Sequence, residues 1–239
     1  MPSESEPRPA PPEGPSRGYV ICTTPRSGSN FLGALLESTG RLGHPKEYFN
    51  GPARRRNGLQ NFPDDPELHL AEVFRLGVTP NGVYGLKIFA YQFDLVRSCR
   101  WPEVLPNLSY VLLEREDVLG QAISMVRAQQ TDQYRSTEPI RGETHYDGAA
   151  IGKALKGVAL DQARWCFWFA RTGVRPLRLR YEQIVADPQG AVDAVAALVG
   201  LVERLPVQVE SLPLRIQRGE ESEVWRARFV REYGERSHF

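Results

Sequence analysis

The sequence predicts an α/β domain with a central parallel sheet covered by helices on both faces. Short apolar runs alternate one for one with segments of helical periodicity, and the first pair is joined by a turn containing Pro25 and Gly28. A length of 239 residues, 41% of them hydrophobic, suits one substantial core better than two.

Residues 1 to about 18 are rich in Pro, Ser and Glu and are expected to form a disordered leader, leaving 19–239 as a single domain. Tyr19 to Thr23 is the first apolar strand, Thr24 to Ser29 the turn, and Phe31, Leu32, Leu35 and Leu36 recur at helical spacing. A strand is predicted around Val83 to Phe89, then a helix near Phe93 to Cys99 and a strand at Tyr110 to Leu113. Asp117 opens a helix with Val118, Ala122, Met125 and Val126 inward. A long helix near Gly148 to Arg171, a strand at Pro176 to Arg180 and a helix after Asp187-Pro188 complete the series. Two polar stretches, 50–66 and 131–147, break the rhythm. They read as walls or lids of an acceptor site beyond the strand ends, or equally as surface excursions.

Thirty basic residues against twenty-nine acidic ones give a net charge of +1, which excludes the global field of a nucleic-acid binder. An anionic ligand must therefore be held locally. Three cysteines and four scattered histidines lack metal-ligand spacing, so neither a metal site nor a disulfide framework is expected. The polar N-terminus and the absence of any long apolar run predict a soluble, cytoplasmic protein without a membrane span.

The strongest local signal is Thr23-Thr24-Pro25-Arg26-Ser27-Gly28-Ser29-Asn30-Phe31-Leu32 between strand and helix. Successive backbone N–H groups at a helix N-terminus, with a glycine where the chain passes close to a ligand, make a phosphate cradle. A plain turn capped by a serine is the structural alternative. The loop is not a GxxxxGK[ST] sequence, because its cation, Arg26, precedes the glycine, and this disfavours a nucleotide triphosphatase.

Arg26, Ser27, Gly28, Ser29, Asn30 and Phe31 resemble the phosphosulfate loop of sulfotransferases that use 3′-phosphoadenosine 5′-phosphosulfate (PAPS). Arg41 to Asn50, with Glu47 before Tyr48 and Phe49, is similar to a segment of the bacterial trehalose sulfotransferase family. The resemblance runs patchily from Tyr19 to about Tyr233. It implies a three-layer, P-loop-NTPase-like sulfotransferase fold, PAPS as donor with 3′-phosphoadenosine 5′-phosphate (PAP) as product, and a homodimer. It also implies that Arg115, leaving a strand, and Ser124 on the next helix hold the 3′-phosphate.

A guanidinium fork and a hydroxyl suit a dianion, although pairing of Arg115 with Glu114 or Glu116 is the plain alternative. Many cytosolic sulfotransferases place a lysine and a catalytic histidine two residues apart; here Lys87 is kept and Phe89 stands at the histidine position. The trehalose-type resemblance makes Glu47 the general base, with His44 its rival and pairing with Lys46 or Arg41 its plain alternative. Arg26 and Lys87 are the candidate cations. Tyr181 resembles a tyrosine near the adenine, and Gln217 and Arg218 a tail that closes over the nucleotide, although Ile216 stands where that family would put an arginine. The run Arg54-Arg55-Arg56 reads as a solvated face and is left out of the site; the alternatives are a greeting for an anionic acceptor or for the 3′-phosphate across a dimer.

The sequence therefore predicts metal-independent sulfuryl transfer from PAPS to a hydroxyl of a small, sugar-like acceptor. A P-loop small-molecule kinase and a non-catalytic nucleotide binder on the same fold are the alternatives.

Overall fold

The computed structural model describes residues 15–96, 100–207, 209–212 and 219–235. Four strands form one sheet: β1 (Arg17–Thr23), β2 (Val83–Phe89), β3 (Leu108–Glu114) and β4 (Leu177–Arg180). Their order is β2-β1-β3-β4 and every pairing is parallel, so β1 lies inside the sheet. The chain leaves β1 toward β2 on one side and returns to β3 on the other, which makes the C-terminal end of β1 the switch point where α/β folds bind ligands.

Side chains of β1 alternate between two cores, as the period of two requires. Val20 and Cys22 join Leu86, Ile88, Trp165 and Phe169 on one face, while Tyr19 and Ile21 join Leu32, Leu35, Leu36, Val192 and Val195 on the other. The predicted class, a parallel sheet flanked by helices on both faces, is the one observed.

Helix α1 (Ser29–Ser38) follows β1 directly. The stretch 50–66 holds a short helix α2 (Gly51–Arg56) with Asn50 as its cap and Pro at its start, and α3 (Pro66–Leu76) begins where the stretch ends. Helix α3 has no counterpart among the expected elements, although Leu70, Val73 and Phe74 recur at helical spacing and pack on one core. The helix after β2 is α4 (Ala90–Leu95), three residues earlier than expected, because the Gln92 side chain accepts the Phe89 N–H at 2.9 Å and starts the helix at the strand end. Cys99, its expected end, lies outside the described residues.

After α5 (Trp101–Val104) and β3 comes α6 (Val118–Thr131), where Ala122, Ile123 and Val126 are buried and Met125 turns to the cavity described below. Helix α7 (Gly148–Thr172) agrees with the expected bounds to one residue. Helices α8 (Tyr181–Ala186), α9 (Pro188–Leu198) and α10 (Glu220–Tyr233) complete the described elements with a 3-10 turn at Val209–Ser211. Trp225 and Phe229 of α10 pack on Ile123, Val126 and Ile151, tying the tail to α6 and α7. The stretch after α6, where Asp132 takes φ 51°, contains no helix or strand up to Asp147.

Candidate active site

The loop after β1 is pinned from below. Thr23 Oγ1 donates to the Leu113 carbonyl of β3 at 2.7 Å and lies 2.7 Å from Ser27 Oγ, and the Trp165 indole donates to the Thr23 carbonyl at 2.8 Å. Gln121 Nε2 of α6 donates to Thr24 Oγ1 at 2.7 Å and to the Pro25 carbonyl at 2.5 Å. Arg26 and Gly28 both take left-handed backbone, φ 62° and 87°. A Cβ on Gly28 would lie 2.2 Å from the Tyr181 ring, so glycine is required there by space as well as by conformation.

The residue at the N-cap of α1 is Gly28, which has no side chain to offer, so the first-turn N–H groups are not met by a serine cap. An uncapped N-terminus at the switch point is an anion cradle in the physical sense: donors and positive dipole end face the same space. The Ser27 hydroxyl is buried and committed to Thr23, which leaves its backbone for that task. Ser29 and Asn30 line the cavity beyond.

Arg26, Arg115 and Ser124 converge. Arg26 Nε donates to Ser124 Oγ at 3.0 Å and Nη1 to the Tyr134 carbonyl at 2.5 Å, while Arg115 Nη1 reaches the Arg26 carbonyl at 3.4 Å. Burial, and then the neighbouring Arg115, pull the Arg26 guanidinium below its ordinary value. Two cations held this close suit an anion of more than one charge. Arg115 pairs with neither adjacent glutamate: Glu114 goes to Arg178 and Glu116 to Arg180. It meets Asp117 at 3.2 Å instead, but Asp117 is shared with Arg226 at 2.6 Å, and Arg115 Nε is buried with no partner. Its guanidinium lies over the Tyr181 ring, 5.2 Å from the centroid.

Glu47 reaches the site through a backbone pairing. Lys46 bridges to Leu86 in parallel, with the Lys87 N–H donating to the Lys46 carbonyl at 2.9 Å, so the 44–50 segment runs along the edge of β2. Glu47 Oε1 then meets Lys87 Nζ at 3.0 Å, and Lys87 Nζ also donates to Asn30 Oδ1 at 2.8 Å. Asn50 Nδ2 donates to Glu47 Oε2 at 2.9 Å. Burial pushes the Glu47 carboxyl up, but Lys87 and Asn50 outweigh it and hold the group below the usual carboxylate range. Lys87 is lowered chiefly by its own burial, with Glu47 opposing.

His44, the rival base, and Lys46 and Arg41, the alternative partners of Glu47, are all occupied elsewhere. His44 Nδ1 lies 3.0 Å from Glu37, Lys46 also pairs with Glu37, and Arg41 pairs with Glu203 at 2.7 Å.

These residues open on a cavity of about 970 Å³, lined by Arg26, Ser29, Asn30, Glu47 and Lys87. Both irregular stretches contribute to its wall, through Arg54 from the first and Tyr134 and Arg135 from the second. Asn50, Tyr91, Tyr134 and Arg135 have no site role in the sequence reading, and Arg54 enters it only as part of the 54–56 charge run. Asn50 had a signal as a capping residue before the helix start at Gly51-Pro52, whereas Arg54 had none beyond that run. Phe89, at the position expected for a histidine, stacks on Tyr91 with centroids 5.7 Å apart and lines the same space.

Gln217 and Arg218 lie outside the described residues. Among the described residues no group of three or more His, Cys, Asp or Glu side chains is placed to hold a metal ion, and no helix is long and apolar enough to cross a membrane.

Residues 18–232 match the family model of the Stf0 sulphotransferases. The chain is 28% identical to the trehalose 2-sulfotransferase of Mycobacterium tuberculosis over 225 residues, 77% of this chain and 84% of that one. It is 27% identical to the trehalose 2-sulfotransferase of Mycolicibacterium smegmatis over 256 aligned positions, 90% and 94% of the two chains. Among solved structures, the sulfotransferase domain of the Synechococcus PCC 7002 olefin synthase aligns over 94% of this chain and 98% of its own, at 16% identity and a TM-score of 0.43. With a match that spans nearly every described residue, the chain belongs to the Stf0 sulphotransferase family.

Proposed function

We propose that this enzyme transfers a sulfuryl group from PAPS to a hydroxyl of a small, carbohydrate-like acceptor, with Glu47 as general base. The observation that carries the reading is the half-buried chain Asn50–Glu47–Lys87–Asn30, which joins a carboxylate facing the cavity to the first turn of α1. The two trehalose 2-sulfotransferase relatives support a carbohydrate acceptor.

The donor fits this chain's residues. The uncapped first turn of α1 suits the phosphosulfate, and the unpartnered Arg115 Nε, next to Arg26 and Ser124, suits a further dianion such as the 3′-phosphate. Tyr181, under Arg115 and against Gly28, offers a ring face for the base of the nucleotide.

PAPS supplies an activated sulfuryl group on an anhydride oxygen. Glu47 takes the hydroxyl proton of the acceptor as the oxygen–sulfur bond forms, and the electron pair of the breaking bond passes to the phosphate oxygen. Arg26 balances the charge that grows there. A carboxylate of low basicity suffices, because the hydroxyl becomes acidic only as its oxygen bonds to sulfur. Lys87 keeps Glu47 charged and oriented, and through Asn30 keeps it in register with the loop.

PAP should stabilise the protein against heat more than ADP does at equal concentration. Arg115→Ala should remove most of that difference while changing the ADP shift little; equal losses for both nucleotides would take Arg115 away from the 3′-phosphate. Metal dependence gives a separate test. Turnover should be unchanged in EDTA, whereas loss of activity restored by magnesium would favour phosphoryl transfer.

A further inference from the structure

The cavity carries positive charge that neither the base nor the donor loop uses. Arg54, on the short helix that follows Glu47, is 6% exposed and lines the cavity. Its Nε is buried without a hydrogen-bond partner, and among the described residues nothing forms an ion pair with it. The nearby acceptors are already committed. Glu47 is held by Lys87 and Asn50, and the next arginine, Arg55, meets Asp64 at 2.7 Å and the Phe62 carbonyl at 2.9 Å.

A second cation, Arg135, faces the same cavity from the stretch after α6. Of the two acids three residues from it, Glu138 accepts the Tyr134 and Arg135 backbone N–H groups and so closes its own turn, and Asp132 pairs with Arg141 at 3.2 Å. Burial first and then the like charge of Arg135 lower the Arg54 guanidinium. Glu47 and Glu37 act on Arg54 only from beyond ion-pair distance, so a buried guanidinium with an unpartnered Nε beside a like charge remains costly, and an oxyanion in direct contact would relieve both costs.

We infer that Arg54, assisted by Arg135, binds an oxyanion substituent carried by the acceptor, so that the enzyme selects a negatively charged carbohydrate over its neutral parent. This rests on the sulfotransferase reading above and names the substrate class for the same site. The anion belongs to the acceptor because Arg54 lies seven residues beyond Glu47 on one continuous segment, whereas Arg26 and Arg115 stand at the ends of β1 and β3. The short stem from Glu47 to Arg54 fixes the distance between the reacting hydroxyl and the anion, so the pair also selects where the substituent sits.

The test is calorimetric binding to PAP-saturated protein of glucose 6-phosphate against glucose and trehalose 6-phosphate against trehalose. At least one phosphorylated sugar should bind roughly ten- to hundredfold tighter than its parent, the range of a charge-assisted hydrogen bond in a dry pocket. Arg54→Gln should abolish that preference and Arg54→Lys retain part of it, both with unchanged PAP affinity, which also reports that the variants fold. Arg135→Gln should give a smaller loss in the same direction, whatever the fate of Arg54→Gln. No preference for either phosphorylated sugar overturns the inference, as does a loss in Arg54→Gln that falls equally on neutral sugars or on PAP itself. Failure of the wild type to bind PAP would instead overturn the sulfotransferase reading, and the inference with it.

Discussion

Glu47→Gln should lower kcat by roughly two to four orders of magnitude, the usual cost of losing a general base, while PAP affinity stays close to wild type. The substitution keeps the shape of the side chain. Its carbonyl can still accept from Lys87, which now meets Glu47 Oε1 at 3.0 Å, so the link through Asn30 to the loop survives. What is lost is the ability to accept a proton. His44→Ala is the matching control and should turn over almost normally, because His44 is engaged with Glu37 and is not in the cavity wall. An inactive His44→Ala with intact PAP binding, together with an active Glu47→Gln, would transfer the role to His44. Rate constants from single-turnover mixing separate this from slow product release.

The parts of the fold that the sequence made legible are those whose information is local. Buried parallel strands are runs of apolar residues, and Tyr19 to Thr23, Val83 to Phe89 and the run before Glu114 were found because both faces are covered. Helix starts were readable where a side chain caps them, as Asp117, Asp147 and Asp187 do. Helix α10 was missed because its first turn is Glu-rich and only Trp225 and Phe229 are buried, a stripe too narrow to register as a period.

In the site, the loop and Glu47 were found through short motifs, but their relation was not. The contact between Glu47 and Lys87 depends on the backbone bridge from Lys46 to Leu86, forty residues apart, and no pattern in either segment announces it. Arg54 was visible only as part of a charge run, where the usual outcome is a solvated face. Burial separates it from Arg56, and burial is a property of the fold.

The contact that the sequence could not show yields the largest expected change in stability. Lys87→Met should destabilise the protein at neutral pH by about 3 kcal/mol, the low end for breaking a buried ion pair, because the Glu47 side chain keeps 17% exposure to the cavity. In the wild type the folded-state value of Glu47 is depressed, so its contribution is present above the ordinary carboxylate range and is lost as the pH falls through the depressed value. Removing Lys87 leaves burial as the dominant influence, and the sign reverses: the carboxyl is raised and the folded variant binds a proton more readily than the unfolded chain. The deficit of Lys87→Met relative to wild type should therefore be largest at and above neutrality and begin to shrink as the pH falls through the raised value of the variant's folded carboxyl. It shrinks further below about 4, as the wild type loses its own contribution on the way down to its depressed value. Urea denaturation at several pH values measures this directly. The double variant Glu47→Gln/Lys87→Met leaves no unpaired charge at positions 47 and 87 and should recover part of the lost stability at neutral pH without recovering activity. A double variant as unstable as Lys87→Met alone would show that the lysine acts through packing under Phe89, and that the charge on Glu47 has little part in holding the site together.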